Sequence, residues 1–568
     1  MAANRTLSLE EVQKTNRPVA GPVGELPDTI DVAIVGAGPV GLTAANLLGA
    51  NGISALLVEQ NALTSDQPKA VIVDDEHMRL IDRIGLMGVL RPHLTATCFG
   101  IHFYSPLGFE LVKAEGFVTP NGFGNRNSVS QPMLEKLLLE GTHRYPNISV
   151  RFRCRLTGLS QQADGVDLTL RNHDDFEKTI RAKFVLACDG ANSFVRKSLG
   201  ITAAGKRIDE PHLVVDFAEF PDQSPFSRFF CHPTRPFNSI LVPYGGRRIE
   251  FMLNPGEDRE QIRSPETIRA LVRRHTPYKD YDLKIVRSAV YGFSARVAER
   301  MQAGRIFLLG DAAHVMPPFG AQGLNSGARD SANITWKIAA VLRGEMGPGA
   351  LESYDPERRT NVRETVDYSV RVGKLANIRF WPAAILRDAF FAVANLFPPV
   401  RRYFREMRYM PRPRLRAGLI VGHGQADASP VGRMFPRPAL ACENAKSASF
   451  DELAGNGFAL VGVNVDPEAV ARAARHPLWN KLQPALISLS GGNQHFAPTE
   501  GVHICQLADA AMKAALAEYD AQIVIVRPDR YVAGIARPDE IDAVSNAFDG
   551  LLRQVDFNTG IRTAAGSG

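Results

Sequence analysis

The stretch IDVAIVGAGPVGLTAANLLGANGISALLVE at residues 30–59 decides the fold class of this chain. Its first six residues are a short apolar run, which is typical of a buried parallel strand. The glycine turn GAGPVG (36–41), an apolar helical pattern and a second apolar run, SALLV, follow in that order. Strand, turn, helix and strand together predict a βαβ unit in an α/β protein with a Rossmann-like sheet.

The glycine turn predicts a binding site for a dinucleotide. Gly36 permits the tight turn, Gly38 lets the backbone approach a pyrophosphate, and Gly41 lets the helix pack closely on the strand. Glu59, at the end of the second strand, can accept hydrogen bonds from a ribose diol. A glycine turn in an ordinary α/β protein is the alternative interpretation, and the motif by itself does not distinguish FAD from NAD.

Two further motifs lie much later in the chain. DGANS (189–193), with Arg196 three residues on, ends the apolar strand FVLAC, and a β-turn with a helix cap would also explain it. GDAAH (310–314) ends the run RIFLL and is followed by GAQGLNSG (320–327). Asp311 is well placed to bind a polyol chain, and N–H groups at a helix start can stabilise negative charge on a reduced flavin. A capping role for Asp311 would not explain the surrounding glycines.

The order of these patterns predicts a discontinuous first domain. Residues between the second and third motifs alternate like strands of a sheet with one covered face, as in SILVPYGGRRIEFML. RIFLL then returns to the buried-strand pattern of the start. The expected units are a polar tail at 1–28, a cofactor domain at 29–205 and 296–345, an inserted sheet domain at 206–295 to which 92–130 contributes, a helical segment at 346–427, and a C-terminal domain at 428–568.

The three motifs, in this order, resemble the FAD-dependent aromatic hydroxylases of the para-hydroxybenzoate hydroxylase type over roughly residues 30–345. Segments such as PKAVIVDDE, GGRRIEFMLNPGED and VRPDRYVAG are most similar to the branch that hydroxylates 3-(3-hydroxyphenyl)propionate. The resemblance implies an α/β fold: a Rossmann-like FAD-binding domain, an inserted β-rich substrate domain and a C-terminal thioredoxin-like domain. Because that last domain lacks a CxxC motif, structural or oligomeric support is expected of it rather than redox exchange.

The resemblance also implies a set of cofactor-binding residues. Lys69 stands where the family usually has an Arg that meets the pyrophosphate, so the charge is kept and the bidentate fork is lost. Ala321 stands where the family often has Gly, which is expected to stiffen the loop beside the flavin. The implied residues are Gly36, Gly38, Gly41 and Glu59 for the ADP half of FAD, Lys69 for the pyrophosphate, Gln131 for a further cofactor contact, Asp311 for the ribityl chain, and Gly323, Leu324 and Asn325 for the flavin pyrimidine.

The implied activity is that of a flavin-dependent monooxygenase acting on a phenolic ring. It would hydroxylate ortho to the hydroxyl of a 3-(3-hydroxyphenyl)propionate-like acid, through a flavin C4a-hydroperoxide, with NADH or NADPH as co-substrate and molecular oxygen. No second GxGxxG is present, so the resemblance implies that the nicotinamide visits a surface groove. The alternatives are another FAD oxidoreductase on the same fold, such as a dehydrogenase or halogenase, or a non-catalytic flavin-binding protein.

No motif identifies the side chains that contact the substrate, because the hard chemistry would belong to the flavin. Tyr244, His232 and Arg247 lie in the strand-rich segment and can contact a phenol or a carboxylate. His314 follows Asp311 within the third motif. Packing or surface exposure explains each of the four equally well.

Charge and cysteine usage exclude several other classes. A net charge of +6 over 568 residues, without a basic run, does not favour nucleic acid as a partner. The six cysteines form no CxxC pair and no metal-ligand spacing with histidine, which predicts free thiols and no metal site.

The terminal and apolar segments bear on localisation. The N-terminus lacks an apolar signal region, which predicts a cytoplasmic protein. The stretch WPAAILRDAFFAVANLFPPV (381–400) is too polar to span a bilayer. It is expected to form an amphipathic helix on a partner surface, or less readily on a membrane, and a homo-oligomer is compatible with it.

Overall fold

The computed structural model describes residues 26–65, 69–94, 97–422, 429–442, 445–491, 496–507 and 509–553. Most of the segment predicted as a polar tail therefore lies outside the described residues. Three large sheets and one two-stranded sheet, with the helices packed on them, make up the described chain.

Twenty-five β-strands lie within the described residues. They are β1 (Thr29–Val35), β2 (Ala55–Val58), β3 (Ile72–Val73), β4 (Gly100–Tyr104), β5 (Glu110–Ala114), β6 (Asn127–Ser128), β7 (Ile148–Arg151), β8 (Arg155–Gln161), β9 (Val166–Arg171), β10 (Glu177–Ala187), β11 (Ala203–Ala218), β12 (Phe226–Phe230), β13 (Phe237–Leu241), β14 (Arg247–Met252), β15 (Lys284–Ala298), β16 (Gln302–Ala303), β17 (Ile306–Leu308), β18 (His314–Val315), β19 (Ala439–Cys442), β20 (Ala445–Ser449), β21 (Ala459–Val463), β22 (Ala485–Ser490), β23 (Val502–Leu507), β24 (Gln522–Val526) and β25 (Val532–Ala536).

The α-helices are α1 (Pro39–Ala50), α2 (Asp75–Arg83), α3 (Met87–Leu90), α4 (Gln131–Thr142), α5 (Phe194–Ser198), α6 (Pro265–His275), α7 (Gly323–Leu342), α8 (Tyr354–Ala376), α9 (Trp381–Ala394), α10 (Pro398–Arg405), α11 (Phe450–Ala454), α12 (Pro467–Ala473), α13 (Pro477–Leu482), α14 (Ala510–Leu516) and α15 (Ile541–Leu552). Short 3₁₀ helices lie at Arg91–His93, Gln261–Arg263, Gly310–Ala312, Pro348–Ser353 and Ala517–Tyr519.

The first sheet has the strand order β16-β17-β10-β1-β2-β7, with β9 and β8 attached beside β10. β1 pairs in parallel with β2 and, on its other side, with β10, and all three are rich in buried apolar residues. β17 pairs in parallel with β10, Ile306 opposite Val185. The chain thus returns to this sheet after an excursion of about a hundred residues, so the carboxyl ends of β1, β10 and β17 meet at one edge.

The inserted segment forms a second sheet with the order β18-β15-β11-β14-β13-β12-β4-β5. β11 and β15 are long antiparallel partners, His212 opposite Tyr291. β4 and β5 come from the earlier segment 92–130 and join at the far edge, where β4 runs parallel to β12. A β-rich sheet inserted into a Rossmann-like domain confirms the predicted α/β fold.

The C-terminal unit is a third, mixed sheet with the order β20-β19-β23-β22-β21-β24-β25. Its centre is parallel, β21 to β22 to β23, and β24 and β25 are antiparallel additions. Helices α12, α13 and α15 pack against it around a buried core that includes Trp479 and Phe548. This arrangement is consistent with the expected thioredoxin-like domain.

The prediction of free thiols is wrong for Cys442 and Cys505, which form a disulfide. β19 and β23 are antiparallel neighbours, and their register sets these two residues directly opposite each other. Strand register is a tertiary property, so the pairing of cysteines 63 residues apart could not be read from their spacing. Cys98, Cys154 and Cys188, like Cys231, are free.

Buried ion pairs join the C-terminal unit to the first domain. Arg79 of α2 donates from Nε and Nη2 to the two carboxylate oxygens of Asp451, at 2.7 and 2.8 Å. Arg527 donates from Nη1 and Nη2 to Glu357 of α8, both at 2.9 Å. Lys337 of α7 donates to the same carboxylate at 2.8 Å. The C-terminal unit is thereby anchored to the helices that follow the cofactor motifs.

The apolar stretch 381–400 forms α9 and the start of α10, which meet at an angle of 111°. One face of α9 is buried and carries Arg387 and Phe391. No single helix within the described ranges is long and apolar enough to cross a membrane, although this bent pair passes the same test of length and composition. The exposed apolar side chains here are Phe380, Trp381, Ile385, Leu386, Phe390, Val393, Leu396, Phe397, Val400 and Tyr403.

Candidate functional site

The glycine turn after β1 is tight at two of its glycines and open at the third. Gly36 has a φ of +108°, and a Cβ added there would lie 2.4 Å from the carbonyl oxygen of Cys188. A Cβ added at Gly41 would lie 2.1 Å from the carbonyl oxygen of Gly36. A Cβ added at Gly38 meets nothing within 4 Å, and no side chain caps α1, which begins there. The open space faces a helix start whose N–H groups can bind an anion.

Glu59 is held beside this turn by three hydrogen bonds. The N–H of Ala37 donates to Oε2 at 2.9 Å, and the N–H and Nδ2 of Asn61 donate to Oε1 at 2.8 and 2.7 Å. A carboxylate can accept about four hydrogen bonds. Glu59 is therefore positioned next to the turn and keeps acceptor capacity for a ligand hydroxyl.

Arg196, which follows the second motif, connects that motif to the third by hydrogen bonds. Arg196 donates from Nη1 to the carbonyl of Ala312 at 2.8 Å and from Nη2 to the carbonyl of Ala191 at 3.1 Å. Ser193 caps α5 by accepting from the N–H of Arg196 at 2.9 Å. Because Arg196 binds both loops, DGANS and GDAAH lie side by side at the carboxyl edge of the sheet.

Asp311 lines a cavity beside the third motif. Its side chain reaches the cavity space, yet the surrounding protein raises the pKa of its carboxyl, and His314 and Lys69 oppose that rise. The ring of His314 is itself buried beneath the loop, its Nε2 2.7 Å from Oδ2 of Asp330. Asp330 also accepts from Gly310 N–H at 3.0 Å, so His314 belongs to the support of the motif.

The loop that ends the third motif turns through Ala321, which has a φ of +58°. A residue with a side chain is disfavoured in this left-handed region, so the loop does carry the conformational constraint expected from Ala in place of Gly. α7 begins at Gly323. Gly323 and Leu324 line the cavity, whereas the Asn325 side chain donates to the carbonyl of Ala321 at 2.8 Å and accepts from the N–H of Asp74 at 3.1 Å.

Gln131 holds the segment that carries Lys69. Its Oε1 accepts from the N–H of Ala70 at 2.7 Å, and its Nε2 donates to Glu135 at 2.8 Å. Burial raises the pKa of Glu135 to about 7. Arg248 of the inserted sheet donates to the carbonyl of Lys69 at 2.7 Å, so both domains position this lysine.

One cavity of about 410 Å³ lies between the third motif and the face of the inserted sheet. It brings together Lys69, Asp311, Gly323 and Leu324 of the predicted cofactor residues. Its apolar wall includes Val214, Phe229, Ile240, Phe293, Met316 and Phe319, and its further polar groups are Ser227, Arg126, Asn238, Arg248, Glu250, Tyr291 and Gln322.

Arg247, a candidate from the sequence, points away from this cavity. Its guanidinium is fully buried and donates to the carbonyl oxygens of Asp222 at 2.8 Å and Ser224 at 2.6 Å. Side chains alternate between the two faces of a strand, so its neighbour Arg248 and then Glu250 face the cavity instead. The sequence showed the right strand but not which of two adjacent arginines faces the ligand.

Tyr244 and His232 also lie outside the lining of this cavity. The hydroxyl of Tyr244 is 3.1 Å from Nδ1 of His93, within the core of the first domain. His232 accepts at Nδ1 from the N–H of Thr234 at 3.2 Å and packs edge-on against Trp381. Their surroundings give both a packing role.

Glu250 and Arg126 are cavity residues that the sequence did not single out. Glu250 is buried, and Asn238 donates to it weakly from Nδ2 at 3.4 Å. Burial raises the pKa of the Glu250 carboxyl, and Arg248 opposes that rise. The period of two in GGRRIEFML could have indicated Glu250, whereas Arg126 lies outside any strand and carried no such signal.

Two family models match the chain. One, described as an FAD binding domain, matches residues 29–369, and a second, described as an HcaD C-terminal domain, matches residues 432–551. The chain is 37% identical to a Klebsiella pneumoniae protein named 3-(3-hydroxy-phenyl)propionate/3-hydroxycinnamic acid hydroxylase, over 92% of this chain and 94% of that protein. It is 36% identical to an Escherichia coli protein of the same name, over 92% and 95%.

Solved structures share the fold. The flavin-dependent monooxygenase PieE, in complex with FAD and substrate, has a TM-score of 0.75 at 22% identity and covers 93% of this chain and all of its own. Aklavinone-11 hydroxylase, with FAD and aklavinone, has a TM-score of 0.73 at 23% identity and covers 92% of this chain and all of its own. The likeness extends over all three sheets, including the C-terminal one.

Proposed function

The chain belongs to the family of FAD-dependent aromatic hydroxylases, and from this premise we propose that its substrate is a phenol with a carboxylate side chain, of the 3-(3-hydroxyphenyl)propionate kind. The protein is an FAD-dependent aromatic monooxygenase. Support for the substrate class comes from one observation: the third motif and the inserted sheet line a single cavity with an apolar wall and a few polar groups. Such a cavity suits an aromatic ring that needs orientation.

We propose that FAD runs from the glycine turn to the third motif. The open space at Gly38 and the start of α1 fit the pyrophosphate, and Glu59 beside the turn fits the adenosine ribose. Asp311 fits the ribityl chain, and the start of α7 at Gly323 fits the flavin pyrimidine. Gln131 would act by holding the segment of Lys69, and Asn325 by holding the loop through Ala321.

Bound FAD, reduced by NADH or NADPH, supplies the activation of molecular oxygen. The chain's own residues position the ring and exclude water. The apolar wall of the cavity excludes water from the phenol, and this favours oxygen transfer to the ring over release of hydrogen peroxide. Glu250 is the carboxyl group that the inserted sheet presents to the cavity, where it can form a hydrogen bond with the phenol, and burial raises the pKa of this carboxyl. The proposed compartment is the cytoplasm, where the nicotinamide co-substrate is regenerated.

A substrate screen tests the proposed function. NADH and NADPH oxidation by the FAD-loaded protein is expected to be slow alone and to accelerate with meta-hydroxylated phenyl alkanoic acids, yielding the ortho-dihydroxylated product. Oxidation with a product lacking added oxygen would favour a dehydrogenase, and a halogenated product would favour a halogenase. Absence of flavin reduction with either nicotinamide would favour a non-catalytic flavoprotein.

Replacing Asp311 by alanine is expected to uncouple the reaction. The variant would no longer hold the ribityl chain, and a displacement of ~1 Å between flavin and ring costs about a hundredfold in rate. The measurement is hydrogen peroxide and hydroxylated product per NAD(P)H in the flavin-loaded variant. Asp311→Asn, which keeps an acceptor oxygen, is expected to lose less. Full coupling in Asp311→Ala would remove the positioning role.

A further inference from the structure

Arg126 is a buried arginine without a hydrogen-bond or ion-pair partner among the described residues. The residue is 5% exposed, and its buried Nε has no hydrogen-bond partner in the described ranges. Its guanidinium lies over the ring of Phe99, whose centroid is 5.6 Å from the guanidinium carbon. The other deeply buried arginines are all paired or hydrogen-bonded: Arg79, Arg247, Arg248, Arg358, Arg527 and Arg530.

An unpaired buried guanidinium is costly, because desolvation is not offset by an anion or by hydrogen bonds. The described residues near Arg126 supply little negative charge to offset its desolvation. Asp74 interacts with Arg126 only through its charge, without a hydrogen bond, and is itself ion-paired with Arg329. Tyr368 and Tyr409 are nearby, and burial raises the pKa of each phenol, so neither supplies a negative charge. A ligand anion would supply what the protein lacks.

The position of Arg126 limits where such an anion can lie. Arg126 and Gln322 line the 410 Å³ cavity beside Asp311 and also line a second cavity of about 530 Å³ behind it. The second cavity is lined by five carboxyl groups, Asp74, Asp75, Glu76, Glu406 and Glu518, and besides Arg126 by Arg329, Arg412 and Arg433. Arg329 is ion-paired with Asp74 and Glu76, and Arg433 is ion-paired with Glu518, so the carboxyl groups of this cavity leave less positive charge for an anion. The flavin-side cavity has carboxyl groups only at Asp311 and Glu250 and presents Lys69 as well as Arg126. The anion is therefore expected on the flavin side.

We propose that Arg126 binds the carboxylate of the aromatic substrate, while the ring lies against the inserted sheet in the flavin-side cavity. The planar guanidinium can donate two parallel hydrogen bonds to one carboxylate, and it lies over the Phe99 ring. Arg126 is thus a specificity residue that selects phenols with an acidic side chain over neutral phenols. This assignment rests on the proposed function and specifies its substrate class.

The test compares Arg126→Met and Arg126→Lys with the wild-type holoenzyme on two substrates. These are 3-(3-hydroxyphenyl)propionate and its neutral isostere, 3-(3-hydroxyphenyl)propanamide. Arg126→Met is expected to raise KM for the acid about 10- to 100-fold, the range for a lost charge-assisted contact, and to leave KM for the amide within about twofold. Arg126→Lys should recover part of the loss. Arg412→Met, which removes an exposed cation lining the second cavity, should change neither value.

Equal losses for the acid and the amide, or an unchanged KM for the acid, would overturn the assignment. A general effect on folding or on the cofactor is monitored by the melting temperature and the FAD content of each variant. Binding of 3-phenylpropionate, followed by the flavin absorbance change, keeps the two proposals separable. If the wild type hydroxylates neither substrate, the proposed function fails, while weaker 3-phenylpropionate binding by Arg126→Met would still support anion recognition. Unchanged binding would overturn it.

Discussion

Glu357→Gln is expected to lower the free energy of unfolding by about 3–5 kcal/mol, the cost of breaking a buried ion pair from one side. The carboxylate accepts from Arg527, from Lys337 at 2.8 Å, from Asn333 at 2.6 Å and from the N–H of Leu419 at 2.8 Å. These contacts tie α7 and α8 to the C-terminal sheet. An amide would leave Lys337 without its buried counter-ion.

The pH dependence of the same network has a defined sign. Arg527 and Lys337 hold the pKa of Glu357 well below its usual range. A carboxyl with a depressed folded-state pKa contributes its stability above the unfolded pKa and loses it as pH falls through the folded pKa. The wild type should therefore lose this contribution progressively as the pH falls below the unfolded pKa of about 4.3, and lose all of it only in strong acid, whereas the variant should already be less stable at neutral pH.

Denaturant unfolding of Glu357→Gln, beside Glu364→Gln, measures the effect. Glu364 lies on the same helix α8 and pairs with Arg416 at 3.0 Å, but both side chains are substantially exposed. An exposed pair is worth ~0–1 kcal/mol, so the control should change stability little. Equal small losses in the two variants would show that the buried network does not anchor the C-terminal unit.

Gly36→Ala is expected to destabilise the first domain by more than about 4 kcal/mol and to abolish FAD retention. Its Cβ would lie 2.4 Å from the backbone oxygen of Cys188, and its φ of +108° is unfavourable for alanine. Backbone at the end of β10 cannot move aside without breaking its pairing with β1. The clash therefore lies within the sheet edge that forms the cofactor site.

Gly38→Ala is the matched variant, with a different expected outcome. Its Cβ meets no protein atom within 4 Å, and the φ of −74° is ordinary for alanine. The melting temperature of the apoprotein should stay close to that of the wild type, while FAD affinity falls at least about tenfold because the methyl occupies the approach of the pyrophosphate. Apoprotein melting and flavin fluorescence titration measure the two effects. Wild-type affinity in Gly38→Ala would exclude the pyrophosphate from this turn.

Local patterns were enough to predict the fold class. The glycine turn, the apolar runs and the return of RIFLL to the first pattern are read within short windows, because strand burial and turn geometry depend on neighbouring residues. The three motifs likewise indicated the family. The contacts of the motif side chains could not be predicted from the sequence. Asn325 and Gln131, for example, both form hydrogen bonds with protein segments that are distant in sequence.

Only the tertiary structure decided which polar groups face the proposed substrate cavity. Arg247 and Arg248 are adjacent in sequence and opposite in orientation, and the face that each occupies depends on which side of the sheet the first domain covers. The Cys442–Cys505 bond depends on strand register, and the isolation of Arg126 depends on the absence of a partner across the described structure. Composition and spacing determined the class of protein, because those signals are local. The charges at the proposed substrate cavity depend on long-range packing, which no short segment of the sequence contains.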